Sequence, residues 1–165
     1  MGSWKSTVGR KLADALDMKF VDTDDAIEEV TDMKISDIFR EFGEKRFREM
    51  ETAFFVEKAK QSGHVFSTGG GIILSAENRK VLKENGTTFL LDAFPKTLTD
   101  RIHNTTKRPL LTESDNLEDR LKTIWNDRSE LYINSAHHII KTDNLEPPQV
   151  LDEILKILEV PIADH

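Results

Sequence analysis

The chain has 165 residues, 38% hydrophobic and 32% charged, which is typical of a soluble globular protein long enough to bury a sizeable core. Its net charge of −7 argues against a surface that coats nucleic acid, so any anion site must be a local cluster of basic side chains. Cysteine is absent, which excludes disulfides and thiolate metal sites, and neither a membrane-spanning run nor a signal peptide is visible. We therefore expect a cytoplasmic monomer, folded as one domain over residues 1–165, with no nucleic-acid or membrane partner.

Hydrophobic spacing and turn residues predict strands that alternate with helices along the chain. The predicted strands are 19–23, 64–68, 87–92 and 138–141. The predicted helices are 6–16, 24–30, 35–42, 44–61, 75–84, 96–103, 117–132 and 148–158, with a break at Gly43 and a polar loop at 104–116. This alternation predicts an α/β fold in which helices cover both faces of a parallel sheet.

The first seven residues, MGSWKST, are similar to the end of the phosphate-binding loop G-x-x-x-x-G-K-[ST] where it enters a helix. Backbone N–H groups at a helix N-terminus attract phosphate, a lysine reaches the outer phosphates, and a hydroxyl binds Mg²⁺. Lys5 and Ser6 are in place, but Trp4 occupies the position of the last glycine of the motif. The alternative interpretation is a capped helix preceded by an unrelated lysine.

Two further clusters follow predicted strands. Asp22 and Asp24 come after the first strand, and three consecutive glycines at 69–71 come after the second. Ligands of open α/β sheets bind beyond the carboxyl ends of the strands, so both clusters are candidates for one site. A carboxylate there can hold a metal-bound water or deprotonate a hydroxyl, and glycines permit positive φ and close approach of a ligand. The alternatives are that Thr23 or Asp24 only caps the next helix and that the glycines form a loose turn.

Four arginines are candidates for binding anions, because a guanidinium grips a carboxylate through two parallel hydrogen bonds. Arg48 and Arg128 lie in predicted helices, Arg101 lies in another, and Arg108 lies in the polar loop. Each of them alone is more typical of a solvated side chain. Residues 137 and 138 are both histidines. No carboxylate is nearby in sequence, so we do not expect a metal site there.

Taken in order, these motifs resemble the shikimate kinase family of small P-loop phosphotransferases. The resemblance extends from Gly2 to about Leu158 and rests on GSWKSTVGRKLA, FVDTD, ISDIF, FGEKRFREMET, STGGG, KRPLL and DRSELY. It implies a three-layer α/β/α P-loop kinase fold, with substrate-binding helices at about 24–61 and a lid at about 104–116. It also implies transfer of the γ-phosphoryl group of ATP to the 3-hydroxyl of shikimate, with Mg²⁺ as cofactor.

The resemblance assigns roles by position. Lys5, Arg108 and Asp24 would be catalytic, with Asp24 as the base. The implied shikimate-binding residues are Asp24, Arg48, Glu51, Gly69, Gly70, Gly71 and Arg128. The implied nucleotide-binding residues are Gly2, Ser3, Lys5, Ser6, Thr7, Arg101, Arg108 and Pro147. Ser6 and Asp22 would hold Mg²⁺.

Three departures from the family pattern matter. The family begins with a central strand and a full glycine loop, so we expect that the sequence as given lacks an N-terminal strand or that the fold carries a defect. Trp4 is expected to weaken ATP binding, because a bulky side chain there restricts φ and crowds the phosphates. Asp17 and Asp32 stand where glycine is common, in turns that tolerate aspartate. Two other functions therefore stay open: a non-catalytic shikimate-binding remnant, and a kinase for another polyol acid such as gluconate.

Overall fold

The computed structural model describes residues 2–105 and 114–160, with side chains described for 2–102 and 117–160. The chain divides into two compact units. Unit 1 contains the N-terminal Met1–Trp4 segment and Phe89–His165, and unit 2 contains Lys5–Thr88. The single-domain organisation over the whole chain stays a prediction.

Unit 2 is built around a pair of parallel strands. Its elements in chain order are α1 (Lys5–Ala15), β1 (Lys19–Asp22), α2 (Thr23–Thr31), α3 (Ile35–Lys58), β2 (His64–Ser67), a 3-10 turn (Ile72–Leu74) and α4 (Ala76–Glu84). β1 pairs with β2 in a register that places Asp22 opposite Ser67. The two strands therefore end at the same edge, as predicted for the residues that follow them.

Buried aliphatic side chains explain why the helices of unit 2 form where they do. Val8 and Leu12 recur four residues apart on the buried side of α1. Ile27 of α2 packs with Ile38 and Phe47 of α3 in a second buried cluster. Gly43 breaks the helical geometry inside α3, with φ 79° and ψ 168°, which confirms the predicted break.

Unit 1 repeats the strand–helix pattern. Its elements are β3 (Phe89–Asp92), α5 (Pro95–Thr105), α6 (Ser114–Ser135), β4 (His138–Lys141) and α7 (Pro147–Ile157). β3 and β4 pair in parallel, with Phe89 opposite His138 and Asp92 opposite Lys141. α7 begins with proline, and a capping box between Glu146 and Gln149 satisfies its first turn.

All four predicted strands are confirmed, with small differences at their ends. The second ends at Ser67, and the third begins only at Phe89. The two helices predicted on either side of Gly43 are one kinked helix that ends at Lys58, and the helix predicted at 117–132 extends over Ser114–Ser135. The predicted lid overlaps the last residues of α5 and the first residues of α6. Its residues 106–113 lie outside the described part of the chain. Within that part, no helix is both long and apolar enough to cross a membrane.

Candidate active site

The shared strand edge of unit 2 brings three oxygen-bearing side chains together. Ser6, in the first turn of α1, donates a 2.7 Å hydrogen bond to Oδ2 of Asp22. Its hydroxyl also lies 3.1 Å from the hydroxyl of Ser67 at the end of β2. The other oxygen of Asp22 accepts from the backbone N–H groups of residues 24 and 25, so Asp22 is the N-cap of α2. The alternative that Thr23 or Asp24 caps this helix is therefore wrong.

The same oxygens fit a magnesium ion. Hydroxyl and carboxylate oxygens are the ligands that Mg²⁺ takes, usually one or two from the protein together with water and substrate phosphates. Ser6 and Asp22 supply that number, and among the described residues no cluster of three or more His, Cys, Asp or Glu side chains could hold a metal by itself. The donor set therefore suits an ion that arrives with a phosphate-bearing substrate.

Asp24 is half-buried in the first turn of α2. Burial raises the pKa of its carboxyl group, and the nearby charge of Asp22 raises it further. The positive charges of Lys5 and Arg48 act in the opposite direction without cancelling the rise. Asp24 is thus within electrostatic reach of both the predicted phosphate lysine and the predicted carboxylate-binding arginine. A raised pKa makes Asp24 a stronger proton acceptor.

Two glutamates of α3 contact the guanidinium of Arg48, one through a short hydrogen bond and the other through longer ones. Its Nη1 donates a 2.8 Å hydrogen bond to Oε2 of Glu51, whose side chain is 1% exposed. Its Nε and Nη2 both lie 3.4 Å from one oxygen of Glu44, which is exposed. Burial raises the pKa of Glu51, although the hydrogen bond from Arg48 opposes the rise. The second oxygen of Glu51, Oε1, is buried and has no hydrogen-bond partner among the described residues.

The glycine triplet lies against these charged groups. A Cβ atom on Gly69 would stand 3.2 Å from Oδ1 of Asp24 and 3.4 Å from Oε1 of Glu51, and one on Gly71 would stand 2.3 Å from the Arg48 guanidinium. The triplet does not use the positive φ that glycine permits, because the described glycines with positive φ are Gly2, Gly43 and Gly63. Space for neighbouring side chains is the actual constraint.

A separate group of contacts in unit 1 surrounds Arg101. Its Cζ lies 3.6 Å from the centre of the Trp4 ring, and Nη1 lies 3.1 Å from the hydroxyl of Thr142 and 3.4 Å from the carbonyl oxygen of Gly2. Nη2 donates to the Thr142 carbonyl oxygen, and burial lowers the pKa of the guanidinium. Trp4 has φ 60°, a left-handed conformation that favours glycine. Pro147, another residue that the resemblance assigns to nucleotide binding, begins α7.

The remaining predicted residues are distributed over both units. In unit 2, Thr7 is exposed on α1, and Gly70 is exposed in the triplet. In unit 1, Ser3 and Arg128 are half-buried, and Arg108 lies outside the described residues. The prediction missed Ser67, and it missed the Thr23 hydroxyl that accepts a 3.4 Å hydrogen bond from the N–H of Gly69. Their positions at the ends of strands were the available signal.

Comparison with known proteins places this arrangement in context. A family model described as shikimate kinase matches residues 1–159. Shikimate kinase of Thermodesulfovibrio yellowstonii is 40% identical over 159 residues, covering 96% of this chain and 91% of that protein. Shikimate kinase of Rippkaea orientalis is 43% identical over 158 residues, covering 96% and 83%.

Solved structures give the same result. Shikimate kinase of Acinetobacter baumannii in complex with shikimate matches with a TM-score of 0.87 and 35% identity, covering 96% of this chain and 88% of that one. Shikimate kinase of Bacteroides thetaiotaomicron matches with a TM-score of 0.88 and 31% identity, covering 97% and 94%. These likenesses confirm the predicted P-loop kinase fold class with its three α/β/α layers.

Proposed function

This chain belongs to the shikimate kinase family, and from that premise we propose that it transfers the γ-phosphoryl group of ATP to the 3-hydroxyl of shikimate. The observation that carries the proposal is the cluster in unit 2, where the positive charges of Lys5 and Arg48 both act on the pKa of Asp24. A base, a phosphate-binding cation and a carboxylate-binding cation are the three groups that this bisubstrate reaction needs.

The acceptor is proposed to bind at the cluster around Arg48. The guanidinium receives the shikimate carboxylate, and Arg128 of α6 supplies a second cation. Asp24 binds the ring hydroxyls, and the glycines at 69–71 line the ring with backbone groups. The buried Oε1 of Glu51, for which the described residues offer no hydrogen bond, supports this role, since such an acceptor is rare and a substrate hydroxyl would satisfy it.

The nucleotide is proposed to bind at the start of α1. Lys5 contacts the outer phosphates, backbone groups of Gly2, Ser3 and Thr7 line them, and Arg101 and Pro147 flank the adenine. Ser6, with Asp22 acting through a water, would hold Mg²⁺. When bound, the ion would neutralise charge on the phosphates and orient them.

The proposed chemistry is an in-line transfer. The 3-hydroxyl oxygen of shikimate forms a bond to the γ-phosphorus as the bond from that phosphorus to the β–γ bridging oxygen breaks, which releases ADP. Asp24 accepts the hydroxyl proton, while Lys5 and Arg108 stabilise the charge on the transferred group. Positioning and charge neutralisation supply most of the acceleration in such reactions, so the side chains need do no covalent chemistry.

A second candidate function is favoured by one observation. Trp4 takes up the face of Arg101 that adenine is proposed to use, and its own backbone is strained at φ 60°. Both features weaken the nucleotide side and leave the contacts of Arg48 with Glu51 and Glu44 unchanged. If ATP binding is weakened enough, the protein binds shikimate but transfers phosphate slowly or not at all.

The test is direct detection of the product. The purified chain is incubated with Mg-ATP and shikimate, and phosphorus NMR follows the appearance of shikimate 3-phosphate. We expect a new phosphate monoester signal that depends on shikimate and is absent with gluconate. Binding of shikimate without any product identifies the non-catalytic alternative, and product from gluconate alone identifies the other kinase. We further propose that the protein works as a cytoplasmic monomer.

A further inference from the structure

The guanidinium of Arg48 lies very close to Gly71. A Cβ atom on Gly71 would lie 2.3 Å from Cζ, from Nη1 and from Nη2 of Arg48 alike. The guanidinium therefore occupies the space into which a side chain at residue 71 would project. The carbon–nitrogen contacts of an alanine there would fall more than 1 Å below ordinary van der Waals separation.

The backbone does not require glycine at this position. Gly71 has φ −88° and ψ −2°, a conformation that residues with side chains adopt readily. Gly71 is also buried. The three described atoms nearest to the place of an alanine Cβ all belong to the Arg48 guanidinium, which makes Arg48 the first obstacle to a side chain at Gly71.

The hydrogen bonds of Arg48 show which part of the guanidinium remains for a ligand. The Nη1 corner is committed to the buried oxygen of Glu51 at 2.8 Å. Within the described part of the chain, the Nε–Nη2 edge meets one exposed oxygen of Glu44, at 3.4 Å for both nitrogens. Exposed ion pairs with such long contacts contribute little, so a ligand carboxylate can replace Glu44. This edge has the two parallel donors that match a carboxylate.

We propose that Gly71 is a positioning residue, whose missing side chain leaves the space that the Arg48 guanidinium occupies, so that its Nε–Nη2 edge is presented to the carboxylate of the acceptor. The proposal rests on the proposed function for the identity of that acceptor. Gly71 acts through Arg48. Any side chain at residue 71 tilts or displaces the guanidinium and breaks either its bond to Glu51 or its alignment with the ligand.

The experiment compares Gly71→Ala with Gly86→Ala in the full chain. Gly86 is a matched control because it lies in the same unit, lacks positive φ, and has nothing within 4 Å of the place that an alanine Cβ would occupy. Calorimetric titration is expected to show shikimate binding about tenfold weaker in Gly71→Ala and unchanged in Gly86→Ala. The methyl ester of shikimate, which has no carboxylate charge, is expected to bind both variants and the unsubstituted chain equally.

The double variant Arg48→Ala/Gly71→Ala separates positioning from a structural effect. If Gly71 acts through Arg48, the double variant binds shikimate within about twofold of Arg48→Ala alone, because the two losses are not additive. The proposal is overturned if the double variant loses the product of the two single-variant losses in shikimate affinity. It is also overturned if Gly71→Ala binds shikimate and its methyl ester with equally reduced affinity, or binds shikimate with full affinity.

A crystal structure of Gly71→Ala gives a readout that does not depend on the acceptor. We expect the guanidinium to retreat by about 1 Å or more, the shift needed to restore van der Waals contact. An unmoved Arg48 overturns the proposal even if shikimate binds. If the unsubstituted chain fails to bind shikimate, the proposed function fails, and the position of Arg48 in this crystal structure still decides the role of Gly71.

Discussion

Two half-buried arginines, one in each unit, have opposite surroundings. Arg48 in unit 2 faces carboxylates, and one edge of its guanidinium is held only by long contacts to an exposed glutamate. Arg101 in unit 1 donates to the chain's own carbonyl and hydroxyl oxygens and carries the Trp4 ring on its face. The first is ready to exchange a weak partner for an anionic ligand, whereas the second is already occupied by its own polypeptide.

This difference separates the two halves of the proposed reaction. The acceptor side retains its charged residues in one interacting cluster, and its glycines leave room for them. The nucleotide side has a bulky residue in a left-handed conformation at the position where a phosphate loop needs glycine. Substitutions in the two regions should therefore affect different substrates.

The largest expected effect is on the acceptor side. Asp24→Asn removes the proposed proton acceptor at nearly constant size, so kcat should fall by about 10²–10⁴-fold. The Michaelis constants for ATP and shikimate should change much less. Steady-state kinetics with both substrates varied provides the measurement, and Asp25→Asn, one residue along the same helix, provides the control. If Asp24→Asn keeps the turnover of the unsubstituted chain, Asp24 is not the proton acceptor.

On the nucleotide side, Trp4→Gly should lower the Michaelis constant for Mg-ATP by about tenfold. The substitution relieves left-handed strain of about 1–3 kcal/mol and uncovers the face of Arg101. Shikimate affinity should stay the same. Trp4→Ala isolates the ring, because it uncovers Arg101 but keeps a side chain at positive φ. An equal change in shikimate affinity would mean that the two regions are not independent.

A smaller effect is expected at the weak partner of Arg48. Glu44→Gln removes a charge that competes with the ligand for the Nε–Nη2 edge, so shikimate should bind about twofold to threefold more tightly. Glu49→Gln serves as the comparison, since its partner is Arg46 on the same helix. Weaker binding in Glu44→Gln would show that Glu44 orients Arg48 and does not merely occupy it.

The smallest expected effect concerns stability. The pKa of Asp24 is raised in the folded chain, so folding loses stability as pH rises from the ordinary value of 3.8 through the folded-state pKa. Asp24→Asn removes that penalty and should raise Tm at pH 7 by on the order of 2 °C. The gain should vanish below about pH 3, where Asp24 is protonated in both states. Melting curves across this pH range check it, and a gain that persists in acid would contradict the electrostatic cause.

The sequence predicts much of this architecture because strand edges are local signals. Apolar strands end in Asp22 and Ser67, and parallel pairing must bring such ends together. Spacing along α3 likewise anticipates the pairing of Arg48 with Glu51 three residues later. These features depend on secondary-structure periodicity and on one rule of topology.

Other features need coordinates. The reason for glycine at Gly71 depends on the rotamer of an arginine 23 residues earlier in sequence, which no local pattern records. The packing of Trp4 on Arg101 joins residues nearly a hundred positions apart. The family resemblance implies only a shared metal site for Ser6 and Asp22, and both their direct hydrogen bond and the addition of Ser67 depend on strand register.

The central claim is that Arg48 of unit 2 is the key cation that binds the carboxylate of the acceptor. Calorimetric titration of the full chain with shikimate, without nucleotide, tests it most directly when Arg48→Ala and Arg40→Ala are measured alongside. The account predicts binding by the unsubstituted chain and by Arg40→Ala, with affinity at least tenfold lower in Arg48→Ala. Equal affinity in all three proteins, or no binding by any of them, would contradict it.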